Sequence, residues 1–209
     1  MWAALNQNGS RKRNRNNWFA IMGNMVASDD ITASAATAIF GKPLVMNVYR
    51  SVVVEAIVAA ALPNWEWCSA DYASCDFRRN DGIRLEVKQS ALRQSWGSKL
   101  ARPGWDIAPR TGYWNEGINW VAAPGRNADI YILALHAVTD EAADHRNPAQ
   151  WAFYVVAAVD LPAQKSIGHS SLERLAVPVL FEGLGKEVTT VAGRCRSSFN
   201  SSCRRQNSS

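Results

Sequence analysis

The sequence predicts an α/β sandwich built around a mixed β-sheet, and three observations carry that prediction. Residues 47–61 are apolar on almost every side, as in a buried helix. From Ile83 the residues alternate strictly between apolar (Ile83, Leu85, Val87) and polar (Arg84, Glu86, Lys88), the period of a half-buried strand. Residues 128–136 and 151–158 are near-continuous apolar runs, the pattern of strands covered on both faces. Read in order, the chain gives helix, hairpin, strand, strand, strand and a further short helix, which is a layered α/β arrangement.

The 209 residues, 47% of them hydrophobic, suit one domain with a sizeable core. The net charge of +5 is unevenly spread. Arg11, Lys12, Arg13 and Arg15 lie near the start, and Arg194, Arg196, Arg204 and Arg205 near the end, with no acid beside either group, so the body between is mildly acidic. This divides the chain into a poorly ordered basic segment over 1–40, a folded domain over 41–190 and a disordered basic tail over 191–209. The tails read as solvated ends, with scanning of a nucleic-acid backbone as the functional alternative. The longest apolar candidate, residues 52–63, is interrupted by Glu55 and too short to span a bilayer. No signal-peptide core follows the basic start, so a cytoplasmic location is expected. Cys68, Cys75, Cys195 and Cys203 lack zinc-site spacing and read as reduced thiols.

Residues 1–40 are small and polar, with an Ala-rich helical stretch at 34–38. Gly41-Lys42-Pro43 punctuates the start of the domain. Asn47 reads as the cap of a helix running to Ala61 and stopped at Pro63. Glu55 shares a face with Val58 and Ala59, so its carboxylate is drawn inward, where a charge needs a partner. A neighbouring arginine is one such partner and a shared cation another.

Asn80-Asp81-Gly82 is a tight-turn signal, with Gly82 where a three-residue hairpin loop needs a left-handed residue. With that loop Arg79 pairs with Ile83, and Asp76 falls opposite Glu86. A two-residue loop would slip the register and move Asp76 to the other face. Facing carboxylates destabilise a strand pair unless positive charge compensates them, and Lys88 sits beside the pair on the same polar face.

Asp76, then Glu86-Val87-Lys88, preceded by a helix bearing Glu55, resembles the PD-(D/E)XK nuclease superfamily, over roughly residues 47–158. Cys75 stands where the family's name places proline. The resemblance implies a restriction-endonuclease-like α/β sandwich with a central mixed sheet, and Mg²⁺, replaceable by Mn²⁺, held by Asp76, Glu86 and the carbonyl of Val87. It implies Lys88 as the group that orients or activates water, Glu55 as an outer or second-cation ligand, and Gln94 as similar to the glutamine found beyond the lysine in several of these families. Hydrolysis of phosphodiester bonds in DNA is the expected activity. A homodimer is one arrangement the resemblance allows. A nucleic-acid-binding or scaffold protein with the same fold and no turnover is the alternative. A purely structural reading pairs Glu86 laterally with Arg84 or Lys88.

Gly104–Pro109 reads as a short strand, and 111–127 as a long loop whose Trp114, Trp120 and Arg126 suit contacts with a partner. Residues 140–150 form a polar connection, and Ser170 to Glu173 match a capping box opening a short helix. His136, His145 and His169 are scattered and read as ordinary polar residues rather than ligands.

Overall fold

A computed structural model describes residues 27–68, 73–96, 100–115 and 117–206, by backbone alone from 196 onward. The chain up to Gly41 and the chain from Lys42 form two compact units. In the first, helix α1 (Ser28–Phe40) carries Asp29 and Asp30 in its opening turn, where carboxylates complement the helix dipole. None of its residues is buried. The Ala-rich stretch at 34–38 is thus the middle of a longer helix, and the arginines near the start lie outside the described residues.

The second unit opens with helix α2 (Asn47–Ala61), which ends just before Pro63. Its cap position is Met46, and the Asn47 side chain accepts from Arg50 instead. The helix is buried on one side only: Arg50, Val54, Ile57 and Val58 face inward, whereas Val48 and Val52 are exposed. Its run of valines and alanines exceeds what one packed face requires, so the expectation of a helix buried all round is corrected.

Strands β1 (Trp65–Trp67), β2 (Phe77–Arg79), β3 (Arg84–Ala91), β7 (Ile130–His136) and β8 (Trp151–Ala157) form a mixed sheet in the order β1-β2-β3-β7-β8. β3 and β7 are parallel, with Leu85 against Ile130 and Glu86 against Tyr131, and the other pairs are antiparallel. The chain between β3 and β7 holds β4 (Gly104–Asp106), β5 (Tyr113–Asn115) and β6 (Asn119–Val121). β9 (Ser166–Gly168) pairs with β4, and helix α3 (His169–Leu172) follows it. Gly168 caps α3 without a side-chain bond, so Ser170 lies inside the helix rather than at its cap.

Alternation on the strands separates two apolar layers. Leu85, Val87, Ile130, Ile132, Phe153 and Val155 meet Val54 and Ile57 of α2 and Leu184, Val188 and Val191 of α4 (Phe181–Gln206). On the other face Tyr131, Leu133, Leu135 and Val156 meet Trp105, Ile107, Ile167 and Leu172. β7 is therefore covered on both sides, as its unbroken apolar sequence requires, and each fully buried Leu or Ile contributes about 1.5–3 kcal/mol. The boundary at 190 falls inside α4, whose Val191 and Ala192 are buried. Gly185 of α4 lies so close to α2 that a Cβ there would stand 2.8 Å from the Ala61 carbonyl oxygen. Among the described residues no helix is long and apolar enough to cross a membrane.

Candidate functional site

The hairpin between β2 and β3 turns through Asn80-Asp81-Gly82. Arg79 donates its N–H to the Ile83 carbonyl at 2.9 Å, and Gly82 donates to the Arg79 carbonyl at 2.9 Å. Gly82 has φ 89°, a conformation glycine adopts without a Cβ clash. The Asp81 carboxylate grips the Arg79 guanidinium at 2.8 and 2.9 Å and stiffens the turn. This is the three-residue loop that a shared face for Asp76 and Glu86 requires.

The ladder then runs Arg78 against Arg84 and Phe77 against Leu85, and stops there. At Asp76 the chain bends: its N–H goes to the Leu85 carbonyl at 3.1 Å, and its carboxylate accepts the Val87 N–H at 2.7 Å. Asp76 is therefore hooked onto β3 beside Glu86 rather than paired squarely across from it. One carboxylate oxygen is held by the backbone, which leaves the other for further contacts.

Asp76, Glu86 and Lys88 line one cleft of about 170 Å³, together with Ser74, Asp106, Arg110, Asn127 and Tyr131. Lys88 forms an ion pair with Glu86, its neighbour on the same face of β3. Arg110 pairs with Asp106 at 2.9 Å. Burial, and then the charge of Glu86, push the Asp76 carboxyl up to about 7, against the pull of the Val87 N–H; Glu55 raises it further and Lys88 opposes the rise. Tyr131, level with Glu86 on the adjoining strand, has its phenol pushed up to about 12, first by burial and then by Glu86. The site is a partly buried group of carboxylates whose repulsion is incompletely offset.

The other expected residues lie elsewhere. Glu55 projects from α2, on the opposite side of the sheet, where its carboxylate accepts the Trp67 indole N–H at 3.0 Å; its partner is neither an arginine nor a cleft residue. Burial raises its pKa, and it lies near enough to Asp76, Glu86 and Lys88 for their charges to act on one another. Gln94 accepts from Arg50 at 3.1 Å and donates to the Ala91 carbonyl at 2.9 Å, so it helps hold the buried Arg50 with Gln89 and Asn47 and does not line the cleft. Val87 enters through its N–H to Asp76. The Arg126 guanidinium donates to the carbonyls of Ile107, Ala158, Leu161 and Pro162, which makes it a clamp under the 111–127 segment rather than a partner contact. His136 and His145 are fully buried against Trp151, and His169 faces the Tyr154 hydroxyl at 2.9 Å.

Asp106, Arg110 and Tyr131 were not singled out by sequence. Asp106 sits between buried Trp105 and Ile107, an alternation that marks it as outward-facing. Tyr131 lies in a run that reads as wholly core, and only the β3–β7 register brings it to Glu86.

Among the described residues no group of three or more His, Cys, Asp or Glu is arranged to hold a metal ion. The donors present fit Mg²⁺ or Mn²⁺ rather than zinc. Asp76 and Glu86 offer hard carboxylate oxygens whose repulsion a cation would relieve, and Mg²⁺ is commonly held by one or two carboxylates with water and phosphate completing its shell. No protein-family model and no curated protein sequence matches this chain.

Proposed function

We propose that the protein is a Mg²⁺- or Mn²⁺-dependent nuclease of the PD-(D/E)XK type, with a restriction-endonuclease-like fold, acting on phosphodiester bonds in DNA in the cytoplasm. One observation carries this reading: Asp76, Glu86 and Lys88, from the two sides of one hairpin, line a single cleft. Asp76 and Glu86, with the Val87 carbonyl, would hold the cation, and Glu55, held by Trp67 outside the cleft, would act through its charge. When bound, the cation supplies Lewis acidity and neutralises charge at the phosphate.

The chain's own groups do the rest. Lys88 offsets phosphate charge and orients the attacking water from the same face as the carboxylates. The Val87 N–H fixes the Asp76 carboxylate in place. Arg110, at the cleft wall, can exchange Asp106 for a phosphate oxygen, since guanidinium binds either group by paired N–H donors. Gln94, bonded to Arg50, takes no part in these steps.

The test is cleavage of supercoiled plasmid and of single-stranded DNA with Mg²⁺ or Mn²⁺, comparing wild type with Glu86→Ala and Lys88→Ala. Metal-dependent cleavage lost in both variants is the expected result. Intact DNA with folded wild type on every DNA and RNA form would overturn the reading. The Lys88–Glu86 ion pair favours a second reading, the purely structural one in which the hairpin is a salt-bridged edge. That reading predicts no response to metal and no cleavage.

A further inference from the structure

The chain between β4 and β7 carries a feature the cleft chemistry does not use. β5 and β6 form a two-stranded ribbon of their own, separate from the main sheet. Trp114 and Trp120 are direct cross-strand partners, with ring centroids 5.6 Å apart in an edge-to-face arrangement. Their exposures are 42% and 49%, and Ile118 beside them is 74% exposed. Leaving this much aromatic surface in water is unfavourable at about 25 cal/mol per Å², and a clustered exposed apolar patch of this kind marks a contact surface.

The ribbon is rooted at the cleft. Arg110, a cleft residue, bridges Gly125 through two backbone hydrogen bonds of 2.7 and 2.9 Å. Gly125 has φ 144°, and the next residue, Arg126, is clamped on four carbonyls. Gly112 lies under the Trp120 ring, where a Cβ would stand 2.7 Å from a ring carbon. The arm therefore has a fixed base. Residues 111–125 contain no Lys or Arg, so the arm offers no positive charge to a phosphate. Its surface suits the flat, uncharged face of a base, while the cations that suit phosphate, Lys88 and Arg110, are in the cleft.

We propose that the β5–β6 ribbon is a base-stacking arm, and that the cleft takes a strand with unpaired bases, either single-stranded or locally opened. A base inside a duplex has both faces occupied by its neighbours and cannot meet an indole, whereas a splayed base can. Phosphate in the cleft and bases on the arm place backbone and bases of one strand on adjoining surfaces that share Arg110. The strand's path rests on the nuclease reading; the stacking itself does not.

Binding of a fluorescently labelled single-stranded 20-mer and of the matching duplex, measured by anisotropy with Ca²⁺ in place of Mg²⁺, tests this. Wild type should bind the single strand more tightly than the duplex. Trp114→Ala and Trp120→Ala should each weaken single-strand binding by about tenfold and leave duplex binding within about twofold. Trp114→Phe, which keeps a ring, should recover most of the loss. Thermal melts establish that each variant is folded. Equal losses on both DNA forms, or no loss on the single strand, would overturn the proposal. So would sedimentation showing that the Trp variants convert a dimer to a monomer, which would assign the arm to a second copy of the chain. Tryptophan-dependent single-strand binding by a wild type that never cleaves keeps this proposal and removes the nuclease reading. Cleavage of single strands indifferent to both tryptophans does the reverse.

Discussion

The Asp76 carboxylate accepts the backbone N–H of Val87 at 2.7 Å, and this bond locks that side chain onto the strand that carries Glu86 and Lys88. Opposite demands therefore meet on one group. The hydrogen bond favours an ionised carboxylate, while burial and the charge of Glu86 oppose it and raise its carboxyl to about 7.

Replacing Asp76 by Asn keeps an acceptor for Val87 and removes the charge. In chelator at pH 8, Asp76→Asn should be more stable than wild type by on the order of 1 kcal/mol. Asp76→Ala leaves the Val87 N–H without its partner and should fall about 1–3 kcal/mol below the Asn variant. The sign with pH follows from the raised pKa. Between 3.8, the ordinary value, and about 7 the folded chain holds a proton that the unfolded chain has released, so this group's contribution declines as pH rises through that window. Denaturant midpoints at pH 5 and pH 8 for the two chains measure it. A lower midpoint for Asp76→Asn at pH 8 would mean the repulsion is not felt.

A divalent cation should reverse that burden. Mg²⁺ or Mn²⁺ at a hundredfold excess over its Kd should stabilise wild type by about 2.7 kcal/mol, with no gain for an Asp76→Asn, Glu86→Gln double variant. Because the cation requires ionised Asp76, its apparent affinity should fall as pH drops below about 7. Melting curves with and without cation, followed by chelator, read this directly.

Acid should attack the fold elsewhere. His145 has no exposure and neither ring nitrogen has a hydrogen-bond partner among the described residues. Burial first, then the charges of His136 and Arg50, push its pKa down to about 3, with Asp144 opposing. Above its ordinary 6.5 the ring is neutral in both states. As pH falls from 6.5 toward 3 the unfolded chain takes up the proton and the folded chain does not, so stability is lost on acidification. Between pH 6 and 4.5 the loss from this ring should be about 2 kcal/mol. His145→Phe, which keeps an aromatic ring against Trp151, should show a correspondingly flatter profile in urea titrations.

Two glycines of α4 should respond oppositely to the same change. Gly193→Ala adds a methyl that meets nothing within 4 Å and should stabilise the helix by about 0.5–1 kcal/mol. Gly185→Ala forces a Cβ to 2.8 Å from the Ala61 carbonyl oxygen and should lower the melting temperature despite the same gain in helix propensity.

Gln94→Ala should cost about 1 kcal/mol of stability through the loss of an Arg50 bond, and leave cleavage rates unchanged. A large fall in rate at unchanged stability would return Gln94 to the cleft.

The parts of this molecule legible in sequence are those fixed by short-range rules. Asn80-Asp81-Gly82 specified its own turn because only glycine sits easily at φ 89°, and period two then put Glu86 and Lys88 on one face. Pro63 marked the end of α2. The Ser- and Arg-rich composition after 193 hid α4, although Leu184, Val188, Val191, Ala192 and Cys195 follow helical spacing and the first four are buried. The β5–β6 ribbon was hidden by its short strands. Gln94 and Arg126 were misplaced for a common reason: their partners, Arg50 and the carbonyls of 107 and 158–162, are remote in sequence, so no local pattern reveals them.

The parallel pairing of β3 with β7 also sets a schedule for synthesis. The hairpin bearing Asp76, Glu86 and Lys88 can close as soon as it leaves the ribosome, since its partners are neighbours in the chain. Its other edge must wait for Ile130–His136, and at about 5–20 residues per second that delay is a matter of seconds. Throughout the interval the edge of β3 that β7 will cover can pair with any strand nearby. Arg84, Glu86 and Lys88, the last two lining the cleft, alternate along that strand. Charges on an open strand disfavour its joining a neighbouring chain, so the same residues suit both the site and the wait.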